Sequence, residues 1–158
     1  MAANVFSNKT VRIAAGVAAV AAAVYAMVYL DVVLRARSAY LEGEKYWSWY
    51  ENPELKKKAL EEKYSKESKD AEGLLSRGKI KKEEYDRKLQ VIEFNRKREL
   101  EESAIKYAYV WYQTAVELFS PPESKWVKLS REKMPRAKEL WRQELLKKGI
   151  KVEDYMLE

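Results

Sequence analysis

The sequence predicts an all-α chain: one N-terminal transmembrane helix, continuous with a long-helix hairpin or bundle outside the membrane. Three observations carry this. The stretch "IAAGVAAVAAAVYAMVYLDVVL" at 13–34 holds no charge from Ile13 to Leu30, and about 20 residues at 1.5 Å each match a hydrocarbon core of about 30 Å. Charged residues make up 35% of the chain, with only five glycines and four prolines, which suits long solvated helices. Beyond the apolar stretch, apolar residues recur at spacings of three and four, the period of an amphipathic helix. The organisation that follows is a short basic N-terminus (1–12), the span (13–34), a helical hairpin domain (35–119), and a C-terminal helix with an extended tail (120–158).

The span is alanine-rich. Gly16, Ala19 and Ala23 form a ridge of small residues at helical spacing, flanked by Ala15 and Ala22. Small residues let helix backbones approach closely in lipid, and an alanine-rich helix gains little from facing lipid alone. Packing against other membrane helices is the expectation. The alternative is a cleaved signal peptide, with Lys9 and Arg12 as its basic region and Ala21-Ala22-Ala23 as cleavage residues. No polar, turn-prone segment follows, so an uncleaved anchor is expected. Lys and Arg are nearly balanced across the span; Lys9 and Arg12 upstream, without acids, favour a cytoplasmic or matrix N-terminus. Asp31 either snorkels to water or pairs with Arg35 one turn on.

Nothing stops the first helix before Pro53, so it is expected to run from about residue 12 to 51. Asn52 and Pro53 suit the cap and first position of a second helix, to about residue 76. That helix, "PELKKKALEEKYSKESKDAEGLLS", is sparsely apolar and reads as largely hydrated. Gly78 suits a C-cap. A third, unusually long helix is expected from Lys81 to Phe119. Its stripe of Tyr85, Leu89 and Ile92 resumes at Leu100, Ala104, Tyr107, Ala108 and Trp111 and leaves Tyr109 off the face; Arg96 interrupts it as an ion pair or a contact edge. Ser120, Pro121 and Glu123 read as the capping box of a fourth helix to about residue 148, bent or broken near Pro135 and closed by Gly149.

"GLLSRGKIKKEEYDRKLQ" at 73–90 resembles the short helical hairpin known as the SHOCT motif, in its leucine pair, glycine turn and Glu-Glu-aromatic stretch. The resemblance covers under twenty residues. It implies a hairpin and an oligomerisation role.

The chain contains no histidine and no cysteine. That removes imidazole and thiolate metal ligands, nucleophile–histidine pairs and disulfides, and a non-catalytic protein without cofactor or metal is expected. The net charge of +6 is spread among acids, which argues against nucleic acid. What remains distinctive is two aromatic clusters, "KYWSWY" at 45–50 and "KYAYVWY" at 106–112. Tyr46, Trp47, Trp49 and Tyr50 cover one side of the first helix, in line with Ala39 and Gly43; Tyr107, Trp111 and Tyr112 mark the second cluster. With straight helices folding back and forth, the clusters would sit about 15–20 Å apart along the bundle axis. They meet only if the second helix is short or broken around 66–73; otherwise other chains cover them, the expectation preferred here. The predicted role is therefore an accessory, stabilising subunit of a membrane complex in a bacterial or organellar inner membrane, an energy-converting complex being one candidate host. Its partners would be other subunits, bound through the span and the aromatic faces, and the lipid bilayer, with no small-molecule substrate. The alternative is a self-associating membrane-anchored helical scaffold.

Overall fold

The computed structural model describes residues 9–151 and 153, and these form five helices and no strand. They are α1 (Lys9–Glu51), α2 (Pro53–Ser76), α3 (Lys82–Glu101), α4 (Ala104–Leu118) and α5 (Lys125–Lys147). The extended tail read for the C-terminus falls largely outside the described residues.

α1 is one helix of 43 residues, apolar and long enough in its N-terminal part to cross a membrane. Residues 12–31 are exposed throughout, and cover begins at Val32. From there α1 enters a three-helix bundle with α4 and α5. α4 runs antiparallel to α1, since Tyr107 stacks on Tyr46 while Phe119 lies near Asp31 and Leu34. α5 runs back parallel to α1, with Trp126 beside Tyr40 and Lys133 on Glu44. The core is narrow, built from Ala36, Ala39, Ala108, Ala115, Ala137, Ile105, Val127, Tyr109 and Tyr112. Small residues dominate it, so the backbones approach closely.

The end of α1 follows expectation: the Asn52 side chain accepts the Glu54 N–H at 3.2 Å, and Pro53 occupies the first position of α2. The end of α2 does as well. Gly78 adopts φ 64°, and the amides of Gly78 and Lys79 donate to Leu75 and Leu74, satisfying the last carbonyls. Gly149, at φ 76°, closes α5 in the same way through Leu146 and Leu145.

The expected third helix is two helices. It breaks at Glu102–Ser103, and α2 is unbroken where a break was considered. Ser103 caps α4, accepting the Lys106 N–H at 3.2 Å, and donates its own hydroxyl to Glu144 of α5 at 2.6 Å. Lys56 reaches from α2 to donate to the carbonyls of Leu100 and Glu102 at 2.9 and 2.6 Å. Those carbonyls lie at the helix end, where no backbone donor reaches them, and a cation is favoured there.

α2 does not fold back along α1. It shares a short contact near the junction, where Leu60 lies by Tyr46 and Trp49, and pairs mainly with α3. The physical reason is composition. α2 has too few apolar residues to line a core, whereas α4 is apolar on two sides and takes the place beside α1. α5 starts at Lys125, capped by Ser124, not at Pro121. Ser120 instead donates to the Glu123 side chain within the connection. Pro135 leaves α5 continuous; its ring is exposed, so the Arg131 carbonyl it strands can be met by water. Of the two readings of Arg96, an ion pair or a contact edge, the structure shows the ion pair: it donates twice to Glu93 at 3.0 Å.

Replacing Lys56 by Met strands two carbonyls at the α3–α4 break while keeping the aliphatic stem. The expected loss is about 1–3 kcal/mol of unfolding free energy, read by denaturant melts of the detergent-solubilised chain. No loss would show that water alone serves the break.

Candidate functional site: the aromatic seam and the uncovered helix

The two aromatic clusters, expected to stay apart, meet along α1 and α4. At the centre lies Tyr112, fully buried. It fits because residue 43 lacks a side chain: a Cβ there would fall 2.5 Å from Cε1 and 2.7 Å from Cδ1 of the Tyr112 ring. The Tyr112 hydroxyl donates to Glu44 Oε1 at 2.5 Å, and Lys133 of α5 donates to both Glu44 oxygens at 2.6 and 2.7 Å. One carboxylate thus joins all three helices. Burial, and then the hydrogen bond to Glu44, push the Tyr112 phenol far above its ordinary pKa. Burial also raises the neighbouring Tyr40, whose ring lies 6.0 Å from that of Tyr112.

Outward from this centre, Tyr46 stacks on Tyr107 at 5.1 Å and meets Trp49 edge-on at 5.1 Å, with Lys45 Nζ 4.6 Å from the Tyr46 ring centre. Tyr107 donates to Glu102 at 2.8 Å, tying the seam to the α3–α4 break. Trp47 lies 6.3 Å from Tyr112 and carries Lys133 and Arg136 over its ring at 5.5 and 5.9 Å. Its indole donates to Glu51 at 2.8 Å. Cations over aromatic faces add attraction that survives partial exposure.

Of the seven aromatics singled out as interface residues, the structure brings Tyr46, Trp47, Tyr107 and Tyr112 together, with Trp49 at their edge. Tyr50 stands exposed beside them. Trp111 is set apart, lining a cleft with Asp31, Leu34, Ala39 and Phe119 where α1 enters the bundle. Tyr109, read as lying off the packed face, is buried against Trp141 at 5.7 Å. One apolar stripe was sought on α4, but a helix held between two others buries two faces. The Glu44–Lys133 bridge spans a separation that sequence periodicity does not address.

The small-residue ridge has the opposite environment. Ala15, Gly16, Ala19, Ala22 and Ala23 are all exposed, and a Cβ at Gly16 would meet nothing within 4 Å. Further along α1, Asp31 accepts from Arg35 at 2.7 Å, one of the two outcomes considered from the sequence.

Among the described residues, no group of three or more carboxylates is placed to hold a metal ion. No family model, no curated protein and no solved structure matches this chain. The hairpin that the SHOCT resemblance implied is present as α2 and α3, joined through Gly78.

Two outcomes follow. Gly43→Ala should destabilise the chain, because overpacking costs about 1–3 kcal/mol and outweighs a helix-propensity gain of up to about 1 kcal/mol. Gly73→Ala, with nothing within 4 Å of its added Cβ, should be neutral or stabilising; equal effects on the melting temperature would contradict the close approach. The second outcome is alkaline sensitivity. Tyr40, Tyr64, Tyr107 and Tyr112 all have phenols raised above the ordinary 10.0. Raised groups stabilise the fold fully below the unfolded pKa, and that contribution is lost as pH climbs toward the folded values. Stability should therefore be flat to about pH 10 and fall beyond it, with the last part of the tyrosinate absorbance, that of these four phenols, rising together with unfolding. Ionisation of all eleven tyrosines in a chain that stays folded would contradict this.

Proposed function

We propose that this chain is a non-catalytic, single-pass accessory subunit of a multi-subunit membrane complex, stabilising its neighbours through the N-terminal helix. A bacterial or organellar inner membrane, with the N-terminus on the cytoplasmic or matrix side, is the setting that suits its charge distribution. The observation that carries the reading is the contrast along α1. Residues 12–31 have no cover, while Ala36 and Ala39 of the same helix are buried in a packed core. In water, exposed Val17, Val20, Val24, Met27 and Leu30 would form an apolar surface that a lone soluble chain avoids. Lipid removes that cost, and the alanine ridge adds a surface for close helix contact. Because no helical break separates this segment from the bundle, whatever the segment binds is held in register with the bundle.

A second reading, self-association as a scaffold, is favoured by one feature. α3 buries none of its residues, and Val91 and Phe94 are 52% and 65% exposed.

Native mass analysis after gentle detergent extraction separates the two. The accessory reading expects full-length chain bound to different chains, and Gly16→Leu or Ala19→Leu should keep it in the carbonate-washed membrane pellet while releasing those partners. Complexes made only of multiples of this chain would favour the scaffold. A carbonate-soluble chain cleaved near Ala23 would overturn both readings.

A further inference from the structure

We infer that the base of the bundle is a seat for anionic lipid headgroups, formed by Arg37 and Lys125 around Trp126 and fronted by Leu118 and Phe119. The inference rests on the reading of 13–34 as a membrane span. If that segment crosses lipid, the antiparallel course of α4 brings the α4–α5 connection down to the point where α1 leaves the hydrocarbon. Phe119 shares a cleft there with Asp31, Leu34, Arg35 and Trp111.

The depth is right for headgroups. Arg37 lies three residues beyond Leu34, about 4.5 Å along the helix, within a polar layer about 5–8 Å thick on each side of the hydrocarbon. Leu118 is 71% exposed and Leu34 57%, a degree of exposure that water penalises and the edge of the hydrocarbon does not. Trp126 is half-buried against Tyr40, with Arg37 Cζ at 5.7 Å and Lys125 Nζ at 5.6 Å from its ring. An indole flanked by cations suits the membrane interface, where aromatic rings and snorkelling basic side chains collect.

The charge is also unbalanced here. Asp31 is held by Arg35 at 2.7 Å, and Glu123 by Arg131 at 2.6 Å and by Ser120 at 3.0 Å. Those pairs neutralise themselves. Lys128 acts on Glu123 as well, and Glu132 lies further up α5, within electrostatic reach of Tyr40. Arg37 and Lys125 remain as exposed cations on either side of Trp126, with no ion pair among the described residues. Such a surface at headgroup depth attracts anionic lipid over zwitterionic lipid.

The chain has no cysteine, so single-cysteine spin labels can be placed cleanly in the full-length protein. Labels at Val20, Leu118 and Phe94, all on exposed side chains, are compared in vesicles of phosphatidylcholine with and without phosphatidylglycerol. Collision with oxygen reports lipid, and collision with a polar nickel chelate reports water. The Val20 label is expected in lipid and the Phe94 label in water. The Leu118 label should be several-fold less accessible to the chelate than Phe94, and better shielded still when phosphatidylglycerol is present. Arg37→Gln with Lys125→Gln should abolish that lipid-charge dependence, and added inorganic phosphate should not reproduce it. A water-exposed Leu118 label alongside a lipid-buried Val20 label would overturn the seat and leave the span standing. Shielding of Leu118 that ignores lipid charge, that survives the double substitution, or that free phosphate mimics would overturn its anionic-lipid character. A Val20 label in water would overturn the span, and the seat with it.

Discussion

Tyr112 can reach the α1 backbone because residue 43 has no side chain, and that approach sets where the other helices go. With the ring seated at Gly43, its hydroxyl meets Glu44, whose second partner is Lys133 of α5. The same register brings Tyr107 onto Tyr46 above and Phe119 toward Asp31 below. A carboxylate drawn partly out of water is costly unless partners are in place; Glu44 is half-buried, and the phenol and the ammonium satisfy it together. The result is a bundle whose helices lie close because their facing residues are small.

What α4 takes, α2 cannot have. The hairpin of α2 and α3 meets the bundle through its base, and that base is chemically specific: Lys56 closes the end of α3, and Ser103 opens α4 while holding Glu144. These contacts turn the chain from a hydrated arm into the core, at a point where a straight helix would have carried it past.

The helix boundaries marked by strong local chemistry were legible in the residues. Asn52-Pro53 and Gly78 each leave the backbone one good option, and both behave as read. Ser103 carried a similar signal, a serine directly before the apolar run Ala104–Val110, but the continuous stripe around it read as one helix. Topology was less legible because it depends on competition between segments. Helices adjacent in sequence were expected to pack side by side, whereas packing follows apolar content, and "AIKYAYVWYQTAVEL" outcompetes "PELKKKALEEKYSKESKDAEGLLS" for the face of α1. Tyr109 shows the same point on a smaller scale: a helix wedged between two neighbours has no single apolar face to find.

One helix thus has two environments, an uncovered apolar half and a half locked into a bundle, and no break lies between them. Hydrogen exchange resolved along the chain in detergent tests this most directly. Amides of α1 from Ala36 to Trp47 should exchange as slowly as those of α4 from Ile105 to Ala115 and open with them as one unit, while α3, none of whose residues is fully buried, exchanges faster. Slow exchange in α3 together with fast exchange at 36–47 would mean that the hairpin, not the seam around Gly43 and Tyr112, holds the molecule together.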